Sequence, residues 1–176
     1  MQNVKIHPII HTERLTLRTI EDGDKAEMLA ILTNEEIGKT FMLPVFEKTE
    51  DALPLFERLK ALSATLTRFV YGICLQNKLI GFINDVELSD ERAELGYVIH
   101  PDYKNQGYAT ETLAAAMDAL FQAGLTVVET GAFKENPASM RVMEKCGMRR
   151  LDRTEQIEYR GTIHDCVYYQ KTAQDK

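Results

Sequence analysis

The chain has 176 residues and a formal net charge of −6, and 44% of its residues are hydrophobic. This length suffices for one domain with a sizeable core, so we expect a single domain over residues 1–176. The acidic balance argues against nucleic-acid binding, which needs a basic face, and is compatible with cationic partners such as amines.

The N-terminal part predicts one strand and one short helix. Residues 13–19 alternate Leu15 and Leu17 with polar residues, which is typical of a strand with one buried face. Residues 21–34 follow with a cluster of apolar residues that favours a helix: Met28, Leu29, Ile31 and Leu32.

Residues 49–64 predict a second helix. Thr49 is a candidate N-cap, and Pro54 fits the first turns, where its missing N–H group does little harm. The apolar face of this helix contains Leu55, Leu59 and Leu62.

In the middle of the chain, apolar residues recur at every second position, as in strands. Residues 68–75 and 78–88 predict two strands joined by a short turn, in which Asn77 tolerates unusual backbone angles. Residues 92–99 predict a third strand with two distinct faces. One face carries Ala93, Leu95, Tyr97 and Ile99, and the other carries Glu94, Gly96 and Val98.

The second half of the chain predicts two helices, a strand and a hairpin. A helix begins after Gly107, and its apolar positions are Ala109, Leu113, Ala116, Met117, Leu120, Phe121 and Gly124.

The remaining elements follow in order. Residues 126–133 predict a buried strand. The next helix has Asn136 as N-cap, Pro137 at its first position and Gly147 just past its end. Residues 155–170 predict a hairpin that turns near Arg160 and Gly161. The element order indicates an α+β fold with a mixed, mostly antiparallel central sheet, helices on both faces and one parallel strand–helix–strand crossover.

Cysteine usage and hydropathy suggest a cytoplasmic protein. Cys74, Cys146 and Cys166 are widely spaced and show no metal-ligand spacing, so they are expected to be core residues in a reducing compartment, and no metal site is predicted. No stretch has the length and hydropathy of a membrane span or a secretory signal. His7 and His11 stand four apart, but Pro8 between them disfavours a helical metal site.

The stretch "KNQGYAT", residues 104–110, is a candidate anion site. The first N–H groups of a helix lack intrahelical partners and carry partial positive charge, which favours phosphate. Gly107 permits close approach of the backbone, Asn105 tolerates a positive φ, and Lys104 adds a cation. The spacing matches neither a P-loop nor a dinucleotide-binding fingerprint.

The stretch "IHPDYKNQGYATETL" resembles the central motif of the GNAT superfamily of N-acetyltransferases, Gln/Arg-x-x-Gly-x-Gly/Ala. Lys104, Gly107 and Ala109 occupy its three marked positions. The segments "RLTLR", "AELGYVIHP", "ENPASMRVMEKCGM" and "YRGTIHDCVYY" resemble the RimJ/RimL-like branch of ribosomal-protein alanine N-acetyltransferases.

This resemblance implies acetyl-CoA as co-substrate, held between two splayed parallel strands. The loop amides from Asn105 to Thr110 would hold the diphosphate, and residues 96–99 would pair with the pantetheine arm. The residues implied in cofactor binding are Val98, Ile99, Lys104, Asn105, Gln106, Gly107, Tyr108, Ala109, Thr110, Asn136 and Ser139. Lys104 replaces the usual Gln or Arg, and Asn105 replaces a usual glycine; binding should tolerate both changes because the contacts are mainly backbone amides.

Acetyl transfer from a thioester needs a neutral amine, an oxyanion donor and a stabilised leaving thiolate. Glu94 is the first candidate base, because it precedes the loop on the face of Gly96, and similar enzymes have a working glutamate thereabouts. The alternative is a solvated carboxylate paired with Arg92. The amide of Val98 or Ile99 is a candidate oxyanion donor.

Ser139 is the candidate proton donor to the thiolate, since the resembling Asn-x-x-Ser motif places Asn136 beside the pantetheine and this serine near the sulfur. Alternatively, Asn136 only caps its helix and Ser139 is exposed in the first turn. Glu111 is explained by the helix dipole, and His164 by hydrogen bonding within the hairpin. No nucleophile elbow or suitable cysteine is present, which favours direct transfer in a ternary complex.

Three functions remain open at this point. The first is an N-acetyltransferase acting on a protein N-terminus, a polyamine or another small amine. The second is a non-catalytic CoA-binding or acyl-CoA-binding sensor or interaction module, and the third is an unrelated anion-binding domain. The acceptor pocket is expected from residues 22–64 together with the C-terminal hairpin, and both a monomer and a homodimer are compatible with the sequence.

Overall fold

The structure, a computed structural model, describes residues 6–175. Its eight strands form one sheet in the order β1-β2-β3-β4-β5-β6-β8-β7. All neighbouring pairs are antiparallel except β5 and β6. The strands are β1 (Ile9–His11), β2 (Leu15–Arg18), β3 (Val70–Leu75), β4 (Lys78–Leu88), β5 (Arg92–Ile99), β6 (Val127–Phe133), β7 (Arg149–Tyr159) and β8 (Thr162–Thr172).

Among the described residues, five α-helices cover both faces of this sheet. Three short 3₁₀ turns, Asp22–Asp24, Thr49–Ala52 and Pro101–Tyr103, precede or connect them. The helices are α1 (Lys25–Leu32), α2 (Glu35–Gly38), α3 (Leu53–Ala64), α4 (Tyr108–Gln122) and α5 (Pro137–Lys145).

Each face of the sheet has its own apolar core. Helix α4 packs on one face through Leu113 and Leu120, against sheet residues such as Leu95. Helices α1 and α3 pack on the other face through Met28 and Phe56. The two-sided arrangement confirms the predicted α+β class, because buried residues alternate between both faces along the central strands.

Strands β5 and β6 pair over only part of their length. Their parallel ladder joins Arg92–Leu95 to Val127–Thr130, and the strands separate beyond it. At the end of the ladder, the hydroxyl group of Thr130 donates to the carbonyl oxygen of Leu95 at 2.8 Å. A bulge in β4 at Val86 lies opposite this point, and bulges bend strands. The separation opens a gap between the two strands.

Most of the predicted turns and caps are confirmed. Gln76 and Asn77 have positive φ angles of 48° and 70° in the β3–β4 turn, and Arg160 and Gly161 have 51° and 75° in the β7–β8 turn. The side chain of Asn136 caps α5 by accepting from the N–H group of Ser139. These positions follow from local chemistry that requires left-handed backbone or a capping acceptor.

Several boundaries differ from the predictions. The first predicted strand is shorter, Leu15–Arg18, and pairs with a strand that was not predicted, Ile9–His11. Helix α2 was also missed. Thr49 is not an N-cap: it is the first residue of a 3₁₀ turn, and the N-cap is Lys48, whose backbone N–H group donates to the side chain of Asp51.

Candidate active site

A cavity of about 390 Å³ occupies the gap between β5 and β6. Its wall includes residues from the α4 side of the sheet and from the α2 side, so the gap is accessible to groups from both faces. Of the residues expected to bind the cofactor, all but Gln106 line it: Val98, Ile99, Lys104, Asn105, Gly107, Tyr108, Ala109, Thr110, Asn136 and Ser139.

The loop before α4 has two residues in left-handed conformation. Asn105 has a φ of 59°, and Gly107, the N-cap, has a φ of 84°. No side chain caps this helix, and its first regular hydrogen bond runs from the N–H group of Glu111 to the carbonyl of Gly107. The N–H groups of the first turn therefore have no intrahelical partner and are suited to bind an anion.

Three cationic residues also line this cavity: Lys104, Arg141 and Lys145. Arg141 and Lys145 were not predicted as site residues, although their spacing of four residues on α5 puts both on one helix face. The ammonium group of Lys104 contacts a carboxylate oxygen of Glu36 at 2.6 Å, which joins the loop to α2. This hydrogen bond lowers the pKa of Glu36.

Ser139 is hydrogen-bonded to a tyrosine that also lines the cavity. The hydroxyl oxygens of Tyr97 and Ser139 are 2.8 Å apart. Burial raises the pKa of Tyr97, so its phenol stays protonated and is able to donate to Ser139. The asparagine cap holds the backbone of Ser139 through a 3.2 Å hydrogen bond to Asn136. Asn136 therefore caps the helix and lines the cavity at the same time.

Glu94 lies on β5, two residues before Gly96, and does not itself line the cavity. Its side chain is half-buried, and burial raises its pKa; the opposing charge of Arg153 only partly offsets this effect. The expected alternative, an ion pair with Arg92, is wrong, because Arg92 instead contacts the buried carboxylate of Glu129 at 2.6 Å.

The α2 side of the cavity is formed by Ile37, Thr40 and Phe41. The ring of Phe41 lies against Gly96, where an added Cβ would be 3.3 Å from the ring. The backbone of this segment is bound by the hydroxyl group of Tyr159, which donates to the carbonyl of Gly38 at 2.7 Å. The same hydroxyl oxygen accepts from the N–H group of Leu43 at 3.2 Å. The C-terminal hairpin thus helps to build this wall.

Other polar residues singled out from the sequence lie elsewhere. The ring of His164 was expected to hydrogen-bond within the hairpin, but it stacks on Phe133 with centroids 4.4 Å apart, and its buried Nδ1 makes no hydrogen bond and lies 3.6 Å from the carboxylate of Glu135. The three cysteines are buried and free. Within residues 6–175, no cluster of side chains could hold a metal ion, and no helix could cross a membrane.

The sequence of the chain is similar to those of known acetyltransferases. The sequence profile of the acetyltransferase (GNAT) domain matches residues 14–149. The uncharacterised N-acetyltransferase YoaA of Bacillus subtilis strain 168 is 32% identical over 168 residues, which cover 92% of this chain and 95% of YoaA.

Two solved structures of lower identity share the fold. RimL, the ribosomal L7/L12 α-N-protein acetyltransferase in complex with coenzyme A, matches with a TM-score of 0.83 at 20% identity, covering 96% of this chain and 99% of RimL. Spermidine N-acetyltransferase from Vibrio cholerae, in complex with CoA and spermine, matches with a TM-score of 0.77 at 22% identity, covering 92% and 97%. The chain belongs to the GNAT acetyltransferase family.

Proposed function

We propose that this protein transfers the acetyl group of acetyl-CoA to a primary amine by direct attack in a ternary complex. The observation that supports this proposal best is the gap between β5 and β6, which is lined from both faces of the sheet. One face offers the unpaired amides of α4, and the other offers the wall formed by Ile37, Thr40 and Phe41. Two substrates can therefore approach one point from opposite sides.

The α4 side fits coenzyme A. The amides of residues 105–110 would bind the diphosphate, with Lys104, Arg141 and Lys145 supplying positive charge. Residues 96–99 of β5 leave β6 and so have backbone groups for the amides of the pantetheine arm. When bound, acetyl-CoA supplies the activated thioester carbonyl.

The residues around the gap would carry the proton transfers. Glu94 accepts the proton of the amine through a water molecule as the C–N bond forms. The amide of Val98 or Ile99 donates to the developing oxyanion. As the C–S bond breaks, Ser139 donates its proton to the thiolate and later recovers a proton from solvent, while the Tyr97 hydroxyl, 2.8 Å away, keeps its proton and hydrogen-bonds the serine oxygen.

The acceptor would enter on the α2 side. Carboxylates of Glu94, Glu87 and Glu155 lie on that face of the sheet and favour a cationic or amine-bearing molecule. The order of the motifs and the RimL-like fold support a place in the RimJ/RimL-like branch, so protein N-terminal amines belong among the candidates beside polyamines and other small amines.

Release of free thiol from acetyl-CoA tests the proposal. The protein is incubated with acetyl-CoA and a panel of N-terminal peptides, polyamines and other small amines, and the thiol is measured with a chromogenic disulfide. We expect release that depends on both protein and acceptor. Tight binding of acetyl-CoA with no release for any acceptor would contradict an enzyme and support a CoA sensor.

A further inference from the structure

The first arginine of the "RLTLR" segment contacts the candidate cofactor loop. Arg14 lies in the turn between β1 and β2, and its Nη1 donates to the carbonyl oxygen of Gln106 at 2.8 Å. Its Nε donates to Glu111 in the first turn of α4 at 2.7 Å. Its guanidinium carbon lies 4.5 Å from the centre of the Tyr108 ring. One side chain thus joins the loop to the start of the helix.

The same turn also holds the carboxylate of Glu111. The hydroxyl group of Thr12 donates to Glu111 Oε1 at 2.5 Å, and the backbone N–H group of Arg14 donates to the same oxygen at 2.8 Å. Burial alone would raise the pKa of Glu111, but these hydrogen bonds and the Arg14 charge outweigh it and lower the pKa. The carboxylate therefore stays charged, and Arg14 is its cationic partner.

The contact with Gln106 fixes the direction of the next amide. In a planar trans peptide, the C=O and N–H groups point in opposite directions. Because the carbonyl of Gln106 points toward Arg14, the N–H group of Gly107 points away from it. This agrees with the cavity wall, which includes Gly107 but not Gln106.

An unpaired Glu111 would oppose a bound diphosphate. Its carboxylate lies within the first turn of α4, close to the amides that would hold the anion, and it is only 16% exposed. The carboxylate of Glu111 and a diphosphate bound at the first turn of α4 would both be negative, and like charges this close repel each other strongly where water is partly excluded. The guanidinium of Arg14 cancels this repulsion.

We propose that Arg14 is a positioning residue for the diphosphate: it aims the N–H group of Gly107 into the cavity and neutralises Glu111. The inference rests on the proposed function, since it assigns the diphosphate of coenzyme A to this loop. Arg14 itself touches the loop and the helix, so its effect on the ligand is exerted through them.

The matched control is Arg18, the last residue of the same segment. Arg18 lies on β2, forms a similar ion pair with Asp24 at 2.8 Å, and donates to the carbonyl of Thr19. Neither Arg18 nor Asp24 lines the cavity. Arg18→Gln removes two ion pairs, with Asp24 and with Glu21, whereas Arg14→Gln removes one, with Glu111, so a loss of CoA affinity confined to Arg14→Gln points to the cofactor loop.

The test is calorimetric titration of wild type, Arg14→Gln and Arg18→Gln with CoA and with pantetheine, which lacks the diphosphate. We expect Arg14→Gln to bind CoA about tenfold more weakly than wild type, with unchanged affinity for pantetheine. Arg18→Gln should bind both ligands as wild type does. Arg14→Lys, which keeps the charge but not the planar fork, should show an intermediate loss for CoA.

A second comparison distinguishes loss of the charge that neutralises Glu111 from general disruption of the loop. The double variant Arg14→Gln/Glu111→Gln should recover part of the lost CoA affinity, because no unpaired carboxylate remains. Unchanged CoA binding by Arg14→Gln, or equal losses for CoA and pantetheine, would overturn the inference. If Arg14→Gln does not fold, the affinities of Arg14→Lys for CoA and for pantetheine are compared with those of wild type in the same way. Wild type that does not bind CoA would instead contradict the proposed function.

Discussion

Glu94 illustrates how the surroundings of one side chain set its chemistry. It is half-buried on β5, and burial raises its pKa above the ordinary value of 4.5. The carboxylates of Glu129 and Glu87 add to this rise, and the charges of Arg153 and Arg92 oppose it. A base must be deprotonated to accept a proton, so activity should fall as the pH decreases through this raised pKa.

We expect Glu94→Gln to lower kcat/KM about a hundredfold, because a positioned base contributes on this order, and to leave CoA affinity unchanged. The amine must also lose a proton, so the logarithm of kcat/KM for wild type should rise with a slope of about two below the pKa of Glu94 and about one above it. The variant should keep a slope of about one throughout.

Glu87→Gln provides the control for this measurement. Glu87 pairs with Glu94 across β4 and β5 and is exposed. Its replacement should preserve kcat and both slopes, with a small decrease in the pKa of Glu94, and should change kcat/KM only through a higher KM for a cationic acceptor. If Glu94→Gln turned over as fast as wild type, Glu94 would not be the base.

Helix α4 is flanked on each side by a glycine in left-handed conformation. Gly107 at its N-terminus has a φ of 84°, and Gly124 after its C-terminus has a φ of 103°. An added Cβ at Gly107 would lie 3.2 Å from Nη2 of Arg14, whereas at Gly124 it would meet no atom within 4 Å. The two ends therefore differ in their contacts although they share the same backbone requirement.

We expect Gly107→Ala and Gly124→Ala to lower the free energy of unfolding by similar amounts, about 1 kcal/mol each, because both force a Cβ into a left-handed conformation. Only Gly107→Ala should weaken CoA binding, since it disturbs the loop and its contact with Arg14. Urea unfolding and calorimetry measure the two effects. Equal CoA affinity in both variants would argue against an anion site at this end of α4.

The β7–β8 hairpin and the segment after α2 are joined mainly through Tyr159. Its hydroxyl group contacts backbone atoms of Gly38 and Leu43, and it also lies 3.2 Å from the carbonyl of Phe41. This segment carries the aromatic ring that faces Gly96. Loss of one hydroxyl group should therefore loosen a wall of the cavity.

We expect Tyr159→Phe to increase amide hydrogen exchange in residues 38–43 while CoA affinity stays unchanged, because the hydroxyl serves the α2 side alone. Tyr71→Phe is the control, since the Tyr71 hydroxyl also donates to a backbone carbonyl, that of His7, away from the cavity. Exchange in residues 38–43 that was identical in Tyr159→Phe and wild type would show that the hydroxyl does not hold this segment.

Across the whole molecule, local chemistry made the fold predictable. Asn77, Gly161 and Asn136 each mark a turn or cap that their own residue type favours, and all three have the expected conformation or contact. The alternating pattern predicted a strand over residues 92–99, and β5 has these bounds, Arg92–Ile99. Turn residues, cap residues and alternating apolar residues each determine the conformation of the few residues around them, so they can be recognised in the sequence alone.

Contacts between distant residues could not be predicted. Arg14 and Glu111 are 97 positions apart, and Tyr159 and Gly38 are 121 apart. The strand Ile9–His11 and the four-residue helix α2 are too short for a periodic pattern to emerge, so tertiary contacts determine them. The candidate loop was therefore predictable as a motif, while the residues that hold it in shape were not.

The central claim concerns where coenzyme A places its diphosphate. A crystal structure of the complex with CoA measures this directly, through the distances from the diphosphate oxygens to the amide nitrogens of residues 105–110. We predict that at least two of these distances are about 3 Å, as in N–H···O hydrogen bonds. A diphosphate bound elsewhere, with these amides pointing away from it, would contradict the account.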